Sequence, residues 1–425
     1  MRQYPCGWEE KPLKYVVKFV SDSLPESTNP NYHFRYVDIG SVTNERGIES
    51  YSEMNFADCP SRARKRIKYG DTIVSTVRTY LKAIALIEDA ENVIVSTGFS
   101  VLRSDAYDSK YLYYLCSSEL VCQQVNRLAW GIAYPAISES LLGTVRVPVP
   151  PKQEQIEIAG FLTNQCATID TTAATLEKEI STLERYRTSV IHEAVTRGLD
   201  PTAPTKPSGV DWIGNIPTHW RAERVAYHCD LESGHTPSKL HPEWWKEEEC
   251  VIPWVTTGDV HRFRNGEITT IYDTEEHVSI AGLANSSARI LPAGTVALSR
   301  TASVGFSIVM GCDMASSQDF ADWVPGPDVD SKYLLYVFRS MAQVFERLKI
   351  GSTHKTIYMH VLKTLKMPLP PKNEQISIAD YLDTRTAAID AVIVTKRQQL
   401  DVLKRRRQSL IYEYVTGKRR VAQEG

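Results

Sequence analysis

Two stretches of the chain keep apolar residues seven apart. In the first, Leu162, Ile169, Leu176, Leu183 and Val190 hold one position, with Cys166, Ala173, Ile180 and Ala194 between them. In the second, Leu382, Ile389, Leu403 and Leu410 hold the main position and Ile393, Leu400 and Tyr414 the other. Arg187 interrupts the first seam and Lys396 the second. A heptad of this kind predicts a helix with a narrow seam that packs on another helix. Pro150-Pro151 and Pro370-Pro371 stand where proline is tolerated at a helix start, and Gly198 and Gly417 where glycine stops one. Each helix then spans about 45 residues, or roughly 65 Å at 1.5 Å per residue. Globular helices average about 11–12 residues, so these two serve as spacers as well as core. With one seam each, they most simply pack on each other.

Elsewhere the apolar period is two. "DTIVSTV", "KAIALI" and "NVIVSTGFSVL" alternate as strands do, and helical stretches follow at 109–128 and 331–349. Residues 1–150 and about 211–370 therefore read as mixed α/β domains. The stretch 197–217, rich in Pro, Gly and Thr, reads as a linker or wrapping loop. The expected organisation is a first domain at 1–150, a helix at 151–197 and a linker at 198–215. A second domain at 216–370, a helix at 371–417 and a basic tail at 418–425 complete it.

The two helices are copies of each other. "PPKQEQIEIAGFLTNQCATID" (150–170) and "PPKNEQISIADYLDTRTAAID" (370–390) align without gaps at an offset of 220, with 12 of 21 positions identical. The match continues through Leu183/Leu403, Arg187/Arg407, Glu193/Glu413 and Thr196/Thr416. Upstream, "DSKYLYYL" (108–115) matches "DSKYLLYV" (330–337), and "GDTIVSTVRT" (70–79) loosely resembles "AGTVALSRT" (293–301), which pairs Arg78 with Arg300. Beyond that the halves diverge. The chain alternates variable region and common helix, twice.

Bulk properties bound the function. No run of about 18 apolar residues exists, and the N-terminus has no apolar signal region, so no membrane span is expected. The eight cysteines lack CxxC spacing, which argues against a zinc site or disulfide framework and for a reducing cytosol. A net charge of -2 means that any nucleic-acid binding must come from local patches. "SRARKRIK" (61–68) supplies Arg62, Arg64, Lys65, Arg66 and Lys68 with no acid among them, either a phosphate-pairing run or a solvated loop. "HRFRNG" (261–266), with Arg262 and Arg264, is its shorter counterpart. "GIAYPA" (131–136) and "GSTHKT" (351–356) occupy one place in both halves; Tyr134, His354 and Lys355 at their tips can lie along DNA, or the loops are tight connections. Arginine is the usual reader of guanine edges, so Arg78 and Arg300 are candidates, although each can equally be a core ion-pair partner.

Catalytic motifs are missing. The sequence has no GxxxxGK[ST], GxGxxG or GxSxG. "PDVDSK" (327–332) mimics a nuclease motif, but Asp-Ser-Lys recurs before the first domain's helix, so a helix N-cap explains it better. A plain coiled-coil scaffold would explain the helices but not why the flanking domains differ while the helices match.

This architecture resembles the specificity subunit of type I restriction–modification systems over essentially the full length. The resemblance rests on "P(L/V)PPK(Q/N)EQI…IA…L…ID" used twice, strengthened by "RYRTSVIHEAVTRGL" followed by "DWIGNIPTHW". It implies two α/β target recognition domains, each reading one half of a bipartite double-stranded DNA site. It further implies an antiparallel coiled coil with pseudo-two-fold symmetry that fixes the spacer between the half-sites. Two methyltransferase subunits using S-adenosylmethionine, and restriction subunits using ATP and magnesium, would dock on it. The chain itself would bind no cofactor or metal and catalyse nothing.

Overall fold

The computed structural model describes residues 4–351 and 355–421. They divide into two compact units: Met1–Glu177 with Gln398–Gly425, and Lys178–Arg397.

In the first unit, β1 (Glu9–Pro12) enters the domain. β2 (Lys18–Phe19), β3 (His33–Val37), β4 (Ser52–Asn55), β5 (Ala63–Arg66), β6 (Thr72–Ser75), β7 (Ile84–Leu86), β8 (Val93–Ser96) and β9 (Phe99–Arg103) build it. They form two four-stranded sheets, ordered β4-β3-β8-β5 and β2-β9-β6-β7, antiparallel except for the β3–β8 pair. Helices α1 (Ser109–Ser117) and α2 (Glu119–Leu128) follow, and β10 (Arg146–Val149) returns to pair antiparallel with β1, Glu9 opposite Val149. Strand alternation gives each sheet two buried faces. Along β6, Ile73 joins Val37, Val95, Phe99 and Val101 in the core shared by the sheets. Val74 points the other way, onto Leu112, Leu115 and Val121 of the helices.

The second unit repeats the plan with additions and losses. β11 (Arg221–Arg224) pairs with β20 (Lys366–Leu369) as β1 does with β10. β12 (Cys229–Ser233), β13 (Cys250–Val255), β14 (Thr270–Ile271), β15 (Glu276–Ser279), β16 (Val296–Ser299), β17 (Ser307–Met310), β18 (Ala315–Ser316) and β19 (Phe320–Pro325) form sheets ordered β12-β19-β16-β17-β14 and β15-β13-β18. Helices α4 (Ser331–Ser340) and α5 (Ala342–Leu348) match α1 and α2. Among the described residues, the smaller sheet has no counterpart of β5. The supposed linker is partly ordered as well: Thr205–Pro207 pairs antiparallel with Asn215–Pro217.

The Asp-Ser-Lys motifs are N-caps. Asp108 accepts from the backbone N–H of Lys110 and Tyr111, and Asp330 from that of Tyr333.

The common helices are α3 (Lys152–Arg197, 46 residues) and α6 (Lys372–Val415, 44 residues). Within the first unit the start of α3 meets the end of α6, with the Phe161 and Tyr414 rings 4.5 Å apart. Within the second unit the end of α3 meets the start of α6: Lys396 pairs with Glu179 at 2.6 Å, Arg397 with Glu184 at 2.8 Å, and Arg385 donates to the Tyr186 hydroxyl at 2.8 Å. Start against end in both units makes the pair antiparallel. Leu162 and Leu382 are fully buried among domain residues, and Ile169, Val190 and Ile389 are buried too. Leu176, Leu183, Leu403 and Leu410 are only half-buried. A two-helix seam has no third layer, so each of those leucines keeps one flank in water.

The repeated phrase does structural work at each helix start. Glu154 accepts from the Trp8 indole at 2.8 Å, and Glu374 from the Trp220 indole at 2.9 Å. Gln155 accepts from the Asp108 N–H and donates to the Pro150 carbonyl; Gln375 does the same with Asp330 and Pro370. Each glutamine thus ties the helix start to the domain helix cap and to the preceding strand.

Candidate nucleic-acid interface

The basic run 61–68 is a strand in its middle and loop at both ends, with Arg62 and Lys68 outside the strand. Ala63–Arg66 is an edge strand pairing antiparallel with β8, and strand geometry divides the charges. Lys65 turns inward to Glu139 at 2.7 Å, where Glu139 also accepts from the Ser100 hydroxyl. Arg64 lies over the Phe56 ring at 4.7 Å and donates to the Ala63 carbonyl. Arg66 is half-exposed and 3.8 Å from Asp22. The acids missing from the local sequence arrive from other segments. Arg62 and Lys68 are exposed and carry no ion pair among the described residues.

A second surface forms where the connection after β6 meets the loop at 130–136. Val77 and Trp130 both bridge to Ala136, and the Ile137 N–H donates to the Thr76 carbonyl at 2.8 Å. This register holds Arg78 in the left-handed region at φ 50°, with its guanidinium 4.8 Å from the centre of the Tyr134 ring. Around the pair stand Trp130 at 78% exposed, Ile132 fully exposed, Tyr134 at 65% and Tyr80 at 54%. Gly131 has φ +112°, and a Cβ there would lie 3.1 Å from the Tyr134 carbonyl oxygen, so the tip demands glycine. The sequence reading picked out Arg78 and Tyr134 but missed Tyr80, Trp130 and Ile132. The signal for Trp130 and Ile132 was there, an aromatic-rich "WGIAY" around a lone glycine; Tyr80 had none.

The second unit builds the same junction. Thr301 and Ile350 bridge to Thr356, and the Ile357 N–H donates to the Arg300 carbonyl at 2.9 Å. The backbone equivalent of Thr76 is therefore Arg300, and that of Arg78 is Ala302, at φ 58°. The pairing of Arg78 with Arg300 was an accident of two short strings. Arg300 is half-buried, and its Nε has no hydrogen-bond partner among the described residues. The Ala302 N–H donates to the Lys355 carbonyl, which fixes exposed Lys355 beside this loop. Arg264 is exposed over the Phe306 ring at 5.4 Å. Arg262 is taken up inside its own domain by Asp259 and the Asp273 carbonyl. His354 lies outside the described residues.

Among the described residues, no group of three or more His, Cys, Asp or Glu is placed to hold a metal ion, and no helix is long and apolar enough to cross a membrane. Burial pushes the Cys166 thiol up to about 11 and those of Cys122 and Cys229 up to about 12, so they pack as protonated thiols.

A family model described as "Type I restriction modification DNA specificity domain" matches this chain twice, over residues 5–182 and 227–402. The chain is 22% identical to the putative type I restriction enzyme MjaX specificity subunit of Methanocaldococcus jannaschii, over 99% of this chain and 95% of that protein. It is 29% identical to the MjaIX specificity subunit of the same organism, but over 45% of this chain and 43% of that protein. The HindI specificity subunit of Haemophilus influenzae is 20% identical over 81% of this chain and 86% of its own length. A solved chain, from work on assembly and conformational transition of the type I restriction–modification system, has the same fold. It superposes with a TM-score of 0.75 at 24% identity, covering 99% of this chain and all of that one.

Proposed function

Because the chain belongs to the family of type I restriction–modification DNA specificity subunits, we propose that each variable domain reads one half of a bipartite duplex target. The paired loops beside Arg78 in the first domain, and beside Ala302 and Lys355 in the second, face the DNA. The observation that carries this is the Arg78–Tyr134 stack. An arginine held over a ring by a cation–π contact is steadied there without using up its N–H donors. That is what bidentate donation to guanine O6 and N7 requires. Trp130 and Ile132 are apolar and uncovered, suited to contact with thymine methyl groups or the faces of bases. Arg62 and Lys68 are free to pair with phosphates, which sets register without reading sequence.

Catalysis then falls to partners. Methyltransferase subunits, two per chain, bring S-adenosylmethionine, and restriction subunits bring ATP and magnesium. The duplicated helices supply two equivalent docking faces, and their length fixes the spacer between the half-sites. The test is a methylation map of a host carrying Arg78→Ala. Arg78→Ala should relax one base position in one half-site and weaken duplex binding by about 1–3 kcal/mol, leaving the other half unchanged. An unaltered map would remove Arg78 from the reading surface. Changes in both halves would overturn the assignment of one half to each domain.

A further inference from the structure

One arginine of the repeat, Arg187 in the first copy and Arg407 in the second, does the same job in both units. In the first, Arg407 of α6 bonds Asp170 of α3 at 3.0 Å, its side chain 8% exposed. Its two Nη atoms reach the main-chain carbonyls of Asn44 and Glu45, at 3.5 and 3.3 Å. In the second unit, Arg187 of α3 lies 3.2 Å from Asp390 of α6, an ion pair by distance though not aligned as a hydrogen bond, with both side chains at 15% exposure or less. Its Nη atoms donate to the main-chain carbonyls of Asn265 and Gly266, at 2.8 and 2.5 Å. Arg187 and Arg407 are the same position of the repeat, and so are Asp170 and Asp390.

The turns that they grip belong to domains with little sequence in common, "VTNERGI" and "HRFRNGEI". Both contacts are to carbonyl oxygens, which every residue type offers. Both arginines would be costly to bury unpaired, and each has a carboxylate from the opposite helix to balance it. We infer that Arg407 and Arg187 are positioning residues: a sequence-blind latch that fixes each variable domain on the common helix pair by holding the backbone of one turn. Gly266 supports this from the domain side. It has φ +78°, and a Cβ there would lie 2.5 Å from Arg187 Nη2. Arginine suits the role because its rigid fork can serve the carboxylate and two carbonyls at once; lysine has one charged tip and cannot.

The consequence for DNA reading rests on the proposed function. A loosened latch leaves base preference intact but blurs the angle at which a domain is presented, so the tolerated spacer length should widen. The test uses Arg407→Lys and Arg187→Lys in the full chain. Amide exchange comes first, because it needs no DNA. Arg407→Lys should speed exchange about tenfold at 43–48 and not at 264–268, and Arg187→Lys the reverse. Gly266→Ala should reproduce the Arg187→Lys pattern. Unchanged exchange in the turns would overturn the latch, whether or not the chain binds DNA.

Second, complexes with the methyltransferase subunits are assayed on duplexes whose spacer is one base pair longer or shorter. The preference for the native spacer should fall by about fivefold or more in either variant, with half-site bases unchanged. Faster exchange with undiminished spacer preference would overturn the positioning role. A wild-type complex that methylates no bipartite duplex would sink the proposed function instead, with the exchange result still deciding the latch. Circular dichroism melts guard against misfolding; should either lysine variant melt early, Asp170→Asn and Asp390→Asn remove the carboxylate alone and should give the same two readouts.

Discussion

Asp322 sits at the centre of β19 with no solvent exposure. One oxygen accepts from the Ser316 hydroxyl and the other has no hydrogen-bond partner among the described residues. Burial pushes this carboxyl up to about 7. The folded chain therefore holds a proton that the unfolded chain, with an ordinary value of about 3.9, gives up early. Stability from this group is complete below about pH 4 and is lost as pH rises through about 7. Tryptophan-fluorescence melts should fall between roughly pH 4 and 7 and level off above, and Asp322→Asn should flatten that fall. A wild-type melt that is level over this range would contradict the assignment. Single residues of this kind were the least legible in the sequence. The charge of Arg62–Lys68 was plain, but not that Glu139 and Asp22 would meet two of those side chains. Spacing along a chain says nothing about partners that folding brings from 44 or 74 residues away.

At the scale of elements, the two long helices were readable because a seven-residue period survives any local noise. What the period could not say was that its interruptions were contacts. Lys396 breaks the seam to reach Glu179, and Arg187 breaks it to reach Asp390 and a turn. The basic run read as loop-like because consecutive arginines and lysines hide strand alternation; pairing to β8 made it a strand. The helix starts offer a direct test. Gln155 and Gln375 are buried and bonded on both ends of their amides. Gln155→Ala or Gln375→Ala leaves a buried N–H and a buried carbonyl unpaired, and should cost about 1–3 kcal/mol in urea unfolding. The two losses should be alike, since the bonds are alike. A cost confined to one copy would mean that the helix starts are not equivalent.

For the molecule as a whole, the alternation of variable domain and common helix was visible in the repeat alone. Beyond the short matches at 70–79 and 108–115, the likeness of the two domains was not, because their shared β-plan is carried by different residues, as Ile73 and Ala297 show at one strand position. Each domain enters and leaves through neighbouring antiparallel strands, β1 with β10 and β11 with β20. An unrelated domain grafted between Glu9 and Val149 should therefore fold without disturbing α3, and a methylation map should show one half-site replaced and the other kept. A four-residue insertion in both helices should change the spacer and leave the bases alone; altered bases would contradict the division of labour.

The division into units also sets an order in time. The second unit is one unbroken stretch, Lys178–Arg397, but the first needs Gln398–Gly425 to close it. Ile411, Tyr414 and Val415 seal the same core as Leu112 and Leu162, and the Tyr111 hydroxyl donates to the Val415 carbonyl at 3.3 Å. On the ribosome, the domain made first must wait while 220 further residues are made, roughly 10–45 s at ordinary synthesis rates. The unit begun first is thus completed last, and its open apolar face is the surface that a chaperone would meet on the nascent chain.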